Sequence, residues 1–173
     1  TTLISGPTNI KPPENVDIRN VKTGEDFLEE SLALLPADIY ISVAAISDFK
    51  IKSYKSSKIK KNKNYVPKIE LIQNTDVLKR ISLSNKRPKL VIGFAAETEN
   101  LVKNANEKLT KKKCDWILGN LISSEEGFGD KSNNITFFKN GYKKKWPQLR
   151  KSMIARRLVL EISNHFNNIS KVK

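Results

Sequence analysis

The sequence predicts an α/β domain, Rossmann-like, with a mostly parallel sheet, helices on both faces and a short antiparallel or flap excursion. Three observations predict it. Short β-branched runs alternate along the chain with stretches of helical period. The run Ile39 to Ala45 is apolar, as a strand buried on both faces is. Residues 50–67 are polar, lysine-rich and without period, and an excursion that long inside a compact domain is functional or disordered.

The elements follow in order. Thr1 to Ser5 reads as a strand ended by Gly6-Pro7, and Pro12-Pro13 enforces an extended loop. Val16 to Val21 alternates as a short strand does. Thr23 is an N-cap for a helix from Gly24 to Leu35, with Glu25 and Asp26 in its first turn and Pro36 as its stop. After the strand Ile39 to Ala45 and the excursion, Lys68 to Gln73 reads as a strand. Asn74-Thr75-Asp76 caps a helix through about Leu83. Pro88 to Ala95 is a strand centred on Leu90-Val91-Ile92. Glu99 to Lys113 is a helix with Leu101, Val102, Ala105 and Leu109 on one side. Asp115 to Leu121 and Ile135 to Phe138 read as strands around a Gly-containing loop, Ser123 to Asn134. Asn140-Gly141 is a hairpin-type turn. Gln148 to Phe166 is an amphipathic helix, and the tail after Asn167 is expected to fray.

Composition bounds the function. A chain of 173 residues fits one domain with a sizeable core. No apolar run is long enough to span a bilayer, and no secretory signal opens the sequence. The single Cys114 has no partner for an internal disulfide, so a reducing, cytoplasmic setting is expected. The formal charge of +14 raises nucleic acid as a partner. Lysine far exceeds arginine, however, and no basic-aromatic stripe, zinc spacing or basic recognition helix accompanies it. A solvated lysine surface is the plainer reading.

The chemistry gathers at strand ends, where open α/β sheets bind ligands. Ala44-Ala45-Ile46-Ser47-Asp48-Phe49 runs from a strand into a small-residue turn ending in a carboxylate. Ten residues after Asp48 comes Lys58-Ile59-Lys60-Lys61. Small residues admit a ligand to the backbone, and ammonium groups meet phosphate oxygens. Gly93-Phe94-Ala95-Ala96-Glu97-Thr98 adds an aromatic that suits a base or the core. The helix start at Asn74-Thr75-Asp76 is either a cap or an anion site. Lys108 and Lys112 share a helix face one turn apart, by chance or around an anion. Gly127-Phe128-Gly129 is a lid or a connection. His165 suits a surface or helix-dipole role and Cys114 a buried inert thiol. No Walker loop, metal-binding histidine cluster or Ser-His-Asp arrangement is visible. The residues alone therefore reach an α/β domain that binds a phosphorylated ligand.

Taken in order, Ile4-Ser5-Gly6-Pro7, the Ala44 to Phe49 turn, Lys58-Ile59-Lys60-Lys61, Asn74-Thr75-Asp76-Val77-Leu78, Gly93 to Thr98 and Lys108 to Asn120 resemble bacterial phosphopantothenoylcysteine synthetase. That family is the ligase half of a bifunctional coenzyme A enzyme, whose other half is a flavin-dependent decarboxylase. The resemblance implies a cytoplasmic, dimeric ligase joining 4′-phosphopantothenate to cysteine. CTP would activate the carboxylate as an acyl-cytidylate, with Mg2+ held mainly by the triphosphate and Asp48 or Asp76 as helpers. Lys58 corresponds to an essential lysine on a flap over the nucleotide, residues 50–67. Ser42, Val43, Ala44, Asp48, Thr75, Asp76, Val77, Leu78, Phe94, Lys108 and Lys112 correspond to nucleotide contacts, and Ala45 to the substrate carboxylate. The family's segment ahead of the first strand has no counterpart before Thr1. It carries a strand, a Gly-rich turn and an asparagine, so the resemblance implies one ligase domain over residues 1–173, incomplete at its N-terminal side. Two other classes stay open: a basic nucleic-acid-binding α/β module, which a salt series would expose, and a dinucleotide-binding oxidoreductase, against which the missing G-x-G-x-x-G weighs.

Overall fold

The structure is a computed structural model that describes residues 1–54, 57, 58, 60, 68–122 and 132–171. In chain order its elements are β1 (Thr2–Ser5), β2 (Asp17–Asn20), α1 (Gly24–Ala33), β3 (Ile39–Ser42), β4 (Phe49–Ile51), β5 (Leu71–Gln73), α2 (Val77–Ser82), β6 (Leu90–Glu97), α3 (Leu101–Lys112), β7 (Trp116–Leu121), β8 (Ser132–Asn133), β9 (Ile135–Lys139), β10 (Tyr142–Lys145), β11 (Leu149–Arg150) and α4 (Lys151–Lys171). They fall into two compact units: residues 1–37 with 43–88, and residues 38–42 with 89–173.

The second unit holds the main sheet, in the order β10-β9-β7-β6-β3. Strands β3, β6 and β7 run parallel, whereas β9 and β10 are antiparallel, so the sheet is mixed. The reversal into β10 is a hairpin at Asn140-Gly141, where Gly141 takes a φ of 68° that glycine adopts without strain. Alternation along the strands makes two faces. Leu90, Ile92, Trp116, Leu118, Ile135 and Phe137 form one core face with Ile154, Leu158 and Ile162 of α4. Each such aliphatic side chain contributes about 1.5–3 kcal/mol on burial. Helix α3 packs on the opposite face against β6, β7 and β9. A Cβ at Gly119 would stand 2.8 Å from Leu101 and 3.0 Å from Phe138, so the missing side chain lets the helix approach.

Several expectations are corrected here. Strand β3 ends at Ser42 rather than Ala45, because its ladder stops at the Ser42–Gly93 pair. Among the described residues it is an edge strand, and Ile39 and Ile41 remain 37% and 42% exposed rather than covered on both faces. Strand β6 runs two residues further than expected, since Ala96 and Glu97 still pair with Asn120 and Leu121. Helix α3 is shorter than expected, with Asn100 and Lys113 left-handed on either side of it. Helix α4 starts at Lys151, not Gln148, because Leu149 and Arg150 pair with β8. It continues to Lys171 instead of fraying after Asn167.

The first unit contains two small sheets and two helices. Strands β1 and β2 pair parallel on their own, and β4 pairs antiparallel with β5. Helix α1 begins with a full capping box: Thr23 Oγ1 accepts from Asp26 N–H, and the Asp26 carboxylate accepts from Thr23 N–H. Its C-cap is Leu34, one residue before the expected end. Val21, Phe27, Leu35, Val77, Leu78 and Ile81 are buried and supply the unit's apolar interior.

Candidate functional site

The expected site residues divide between the two units. In the first, Val43 to Ser47 follow β3 in the chain without joining a ladder, and Val43, Ala44, Ala45 and Asp48 are exposed. Ser47 secures the turn locally: Oγ donates to Phe49 O at 2.8 Å and accepts from Phe49 N–H at 3.3 Å. The Asp48 carboxylate makes no hydrogen bond or ion pair among the described residues.

The turn is joined to the α2 start. Asn74 N–H donates to Asp48 O at 2.7 Å. Its Nδ2 donates to Ser47 O at 3.0 Å, and its Oδ1 accepts from Thr75 N–H at 2.9 Å. Two segments separated by the whole flap in sequence thus become neighbours. Gly24 completes the arrangement: a Cβ there would meet Ile46 at 3.1 Å and Asn74 at 3.3 Å. The sequence reading of Asn74 as part of a cap or an anion site does not include this tie to the turn, and it gives Gly24 no role beyond opening the helix. The signal available was small: an amide directly before Thr75-Asp76 and a glycine directly after a cap.

Burial refines the roles at α2. Val77 and Leu78 are 4% and 7% exposed, so their side chains belong to the unit's interior. A ligand beside them would meet backbone. Asp76 is the N-cap proper, its Oδ1 accepting from Lys79 N–H at 3.1 Å. As a metal helper it is therefore less suited than Asp48. Among the described residues no group of three or more His, Cys, Asp or Glu side chains is arranged to hold a metal ion.

The expected flap segment is flanked by the two-stranded β4–β5 ribbon. Ile51 faces Leu71 across the ladder, and Lys52 is tied to Glu70 by a backbone bond of 2.9 Å and an ion pair of 2.8 Å. Lys50 pairs with Glu25 in the first turn of α1. That ammonium, with Glu25's own backbone N–H, holds the Glu25 carboxyl below its ordinary range. Asp26 is likewise lowered, by the N–H groups of Lys22 and Thr23. Lys58 and Lys60 are exposed, and Lys58 makes no ion pair or hydrogen bond among the described residues. Ile59, Lys61 and the rest of the flap, residues 55, 56 and 62–67, lie outside the described residues, as does Gly127-Phe128-Gly129.

The second unit carries Ser42, Phe94, Lys108 and Lys112. Ser42 is half-buried at the end of β3, opposite Gly93. Phe94 is half-buried and packs against the α4-side core. Its carbonyl accepts from Lys108 Nζ at 2.7 Å. Lys112, one turn further along α3, is half-buried too. Glu97 receives Asn104 Nδ2 at 2.8 Å, which anchors α3 to the end of β6. The structure thus places one lysine of the pair directly at the carboxyl-terminal half of β6.

A groove of about 590 Å³ lies elsewhere in this unit, lined by Trp116, Phe137, Tyr142, Glu161 and His165 among others. Trp116 and Tyr142 open β7 and β10, so the groove is at the sheet end opposite Ala96 and Asn120, and no expected site residue lines it. His165 is half-buried there, edge-on to Trp116 at 5.3 Å, which makes it a packing residue rather than a surface one. Cys114 is buried, as expected.

Comparison with known proteins adds the following. Residues 1–166 match the family described as the DNA/pantothenate metabolism flavoprotein C-terminal domain. The chain is 38% identical over 160 residues to the coenzyme A biosynthesis bifunctional protein CoaBC of Borreliella burgdorferi, covering 91% of this chain and 40% of that protein. It therefore spans about 40% of the length of that curated relative. A crystal structure of the C-terminal domain of CoaBC superposes with a TM-score of 0.75 at 30% identity, covering 96% of this chain and 74% of the other. A Cab2 mutant in complex with phosphopantothenate-cysteine shares the fold, with a TM-score of 0.61 at 15% identity over 91% of this chain and 56% of that one.

Proposed function

The chain belongs to the DNA/pantothenate metabolism flavoprotein C-terminal domain family, and on that premise we propose that it is a phosphopantothenoylcysteine synthetase domain. It joins 4′-phosphopantothenate to cysteine in coenzyme A biosynthesis, in one ligase domain over residues 1–173 with residues 50–67 as its flap. The observation that carries the reading is the Asn74 junction. It sets the exposed Ala44 to Asp48 turn beside Thr75 to Leu78, two segments that the ligase resemblance assigns to one nucleotide.

The chemistry follows from what a carboxylate lacks. Its oxygen is a poor leaving group, so the substrate carboxylate first attacks the α-phosphorus of CTP. Pyrophosphate departs and an acyl-cytidylate forms. The cysteine amine then attacks the acyl carbon and expels CMP, giving the amide. Negative charge grows on oxygen in both steps and needs positioned cations and N–H donors. In this proposal Lys58 supplies the cation at the reacting carboxylate, while Lys108 and Lys112 face phosphate oxygens. Ser42, Val43 and Ala44 read the cytosine through backbone edges. Ala45 lies beside the substrate carboxylate, Phe94 lines the nucleotide site, and Thr75 to Leu78 present backbone. Asp48 would help hold Mg2+ on the triphosphate, where the ion would offset phosphate charge, since the Asp76 carboxylate caps α2.

The proposed partners follow the same logic. Phe49, Ile51 and Leu71 are 56%, 56% and 60% exposed on one face of the β4–β5 ribbon. An apolar ribbon face of this kind suits a second copy, which supports a homodimer whose flap reaches the partner's nucleotide site. The relatives' bifunctional names support fusion to, or association with, a flavin-dependent decarboxylase. A cytoplasmic setting fits this chemistry, and among the described residues no helix is long and apolar enough to cross a membrane.

The test is pyrophosphate release by the full-length protein carrying this chain, with 4′-phosphopantothenate, cysteine and either CTP or ATP. CTP-dependent release with amide formation is expected, and equal or better use of ATP overturns the nucleotide assignment. Sedimentation at micromolar concentration checks the dimer; an active monomer excludes cross-subunit capping.

A further inference from the structure

Asn74 stands between the two nucleotide segments of the first unit and bonds to both. One amide group donates to the Ser47 carbonyl at 3.0 Å and accepts the Thr75 N–H at 2.9 Å. The same residue's backbone N–H donates to Asp48 O at 2.7 Å, directly beyond the last ladder pair, Phe49 with Gln73. Asn74 therefore ends the flap's base, grips the turn and sets the α2 start at once. The choice of side chain is chemical. A carboxamide offers a donor and an acceptor at one short end, whereas an aspartate would aim a second acceptor at the Ser47 carbonyl. Gly24 leaves room for that amide, with a Cβ there 3.3 Å from both its nitrogen and its oxygen.

We propose that Asn74 is a positioning residue that holds the Ala44 to Asp48 turn in register with Thr75 to Leu78, and so sets the affinity for the nucleotide. The proposal rests on the ligase reading for the identity of the ligand, but the clamp itself rests on the bonds above. Asn74 acts through the backbone that it holds at Ser47, Asp48 and Thr75. Its loss loosens backbone that the nucleotide needs at a fixed spacing.

The experiment uses the full-length protein as wild type, Asn74→Asp and Asn74→Ala, with Phe27→Leu as a control for lost stability. Hydrogen exchange without ligand should rise at residues 46–49 and 74–77 in both Asn74 variants and stay unchanged along α1. The nucleotide KM should rise about tenfold in Asn74→Asp with kcat changed far less, while the KM for cysteine stays put. Phe27→Leu should lower thermal stability without moving the nucleotide KM. Unchanged exchange at residues 46–49 overturns the clamp, whatever the kinetics. Raised exchange with an unchanged KM for a nucleotide that the wild type does use overturns the link to affinity. A wild type that turns over no nucleotide sinks the ligase reading and the affinity link with it, and the exchange data still decide the clamp.

Discussion

Phe94 packs against the α4-side core, and Lys108 of α3 donates to its carbonyl. Leu90, Val91 and Ile92 are 0% exposed, and Ala105 of α3 is equally covered. The Ala44 to Asp48 turn and Thr75 are held differently. The three bonds of Asn74 and the Ser47 turn hold them, and Val43 beside them is 63% exposed. The candidate residues of the second unit are held by packing, and those of the first unit's turn by a few hydrogen bonds. Packing is stiff and resists change collectively. A hydrogen-bonded turn can be released by one substitution while the rest of its unit stays folded. Mutations in the first unit's turn and flap should thus act on catalysis, and mutations in the second unit's interior on stability.

The sharpest break of that contrast comes from Lys58→Gln. It removes an exposed ammonium, so the melting temperature should hold while the amide-forming rate falls about 10²–10³-fold. A rate near wild type would remove Lys58 from the flap role.

Leu118→Ala asks the converse question in the packed half. Leu118 is 0% exposed within the α4-side core. A stability loss of about 2–5 kcal/mol is expected, with the rate per folded molecule unchanged. Chemical denaturation with a parallel activity assay reads both quantities.

Gly119→Ala should repeat that pattern more mildly. The added Cβ would lie 2.8 Å from a Leu101 methyl and 3.0 Å from the Phe138 ring. The leucine end can rotate away, but Phe138 is 0% exposed and cannot. Overpacking of this kind costs about 1–3 kcal/mol. Denaturation of the variant at wild-type stability would show that α3 is free to retreat.

The smallest effect belongs to the flap base. Glu25 is held below its ordinary value of 4.5, first by Lys50. A carboxyl lowered on folding contributes stability above the unfolded value and loses it as pH falls through the folded one. The advantage of wild type over Glu25→Gln should therefore be present above pH 4.5 and vanish on acidification below it. Stability measured against pH for the two proteins checks the sign, and a gap that widens towards acid contradicts it. High salt should shrink the gap as well, because the pair is exposed.

Much of the fold was legible in the chain. The N-cap at Thr23, with Asp26 in the first turn, and the strand run Leu90-Val91-Ile92 announced themselves through local chemistry and local period, whereas Val102, expected on the apolar side of α3, is 43% exposed. The bounds of α4 were less legible: two-residue pairings such as Leu149–Asn133 carry no period, and they displaced its start. The edge position of β3 was invisible for a related reason. An apolar run states what it prefers to bury against, not whether a neighbour exists to cover it.

The site divides along the same line. The identity of its segments was readable because each is a contiguous string of residue types, such as Ala44-Ala45-Ile46-Ser47-Asp48 or Asn74-Thr75-Asp76. The use of those residues was not. That Val77 and Leu78 face the interior, that Asp76 is committed to a cap, and that Asn74 ties Ser47 to Thr75 depend on contacts between positions far apart in the chain. Sequence by itself determined which segments are candidates for the chemistry, because residue type and spacing are local. Tertiary structure alone decided which atoms of those segments remain available, because a hydrogen bond or a buried face belongs to two places in the chain at once.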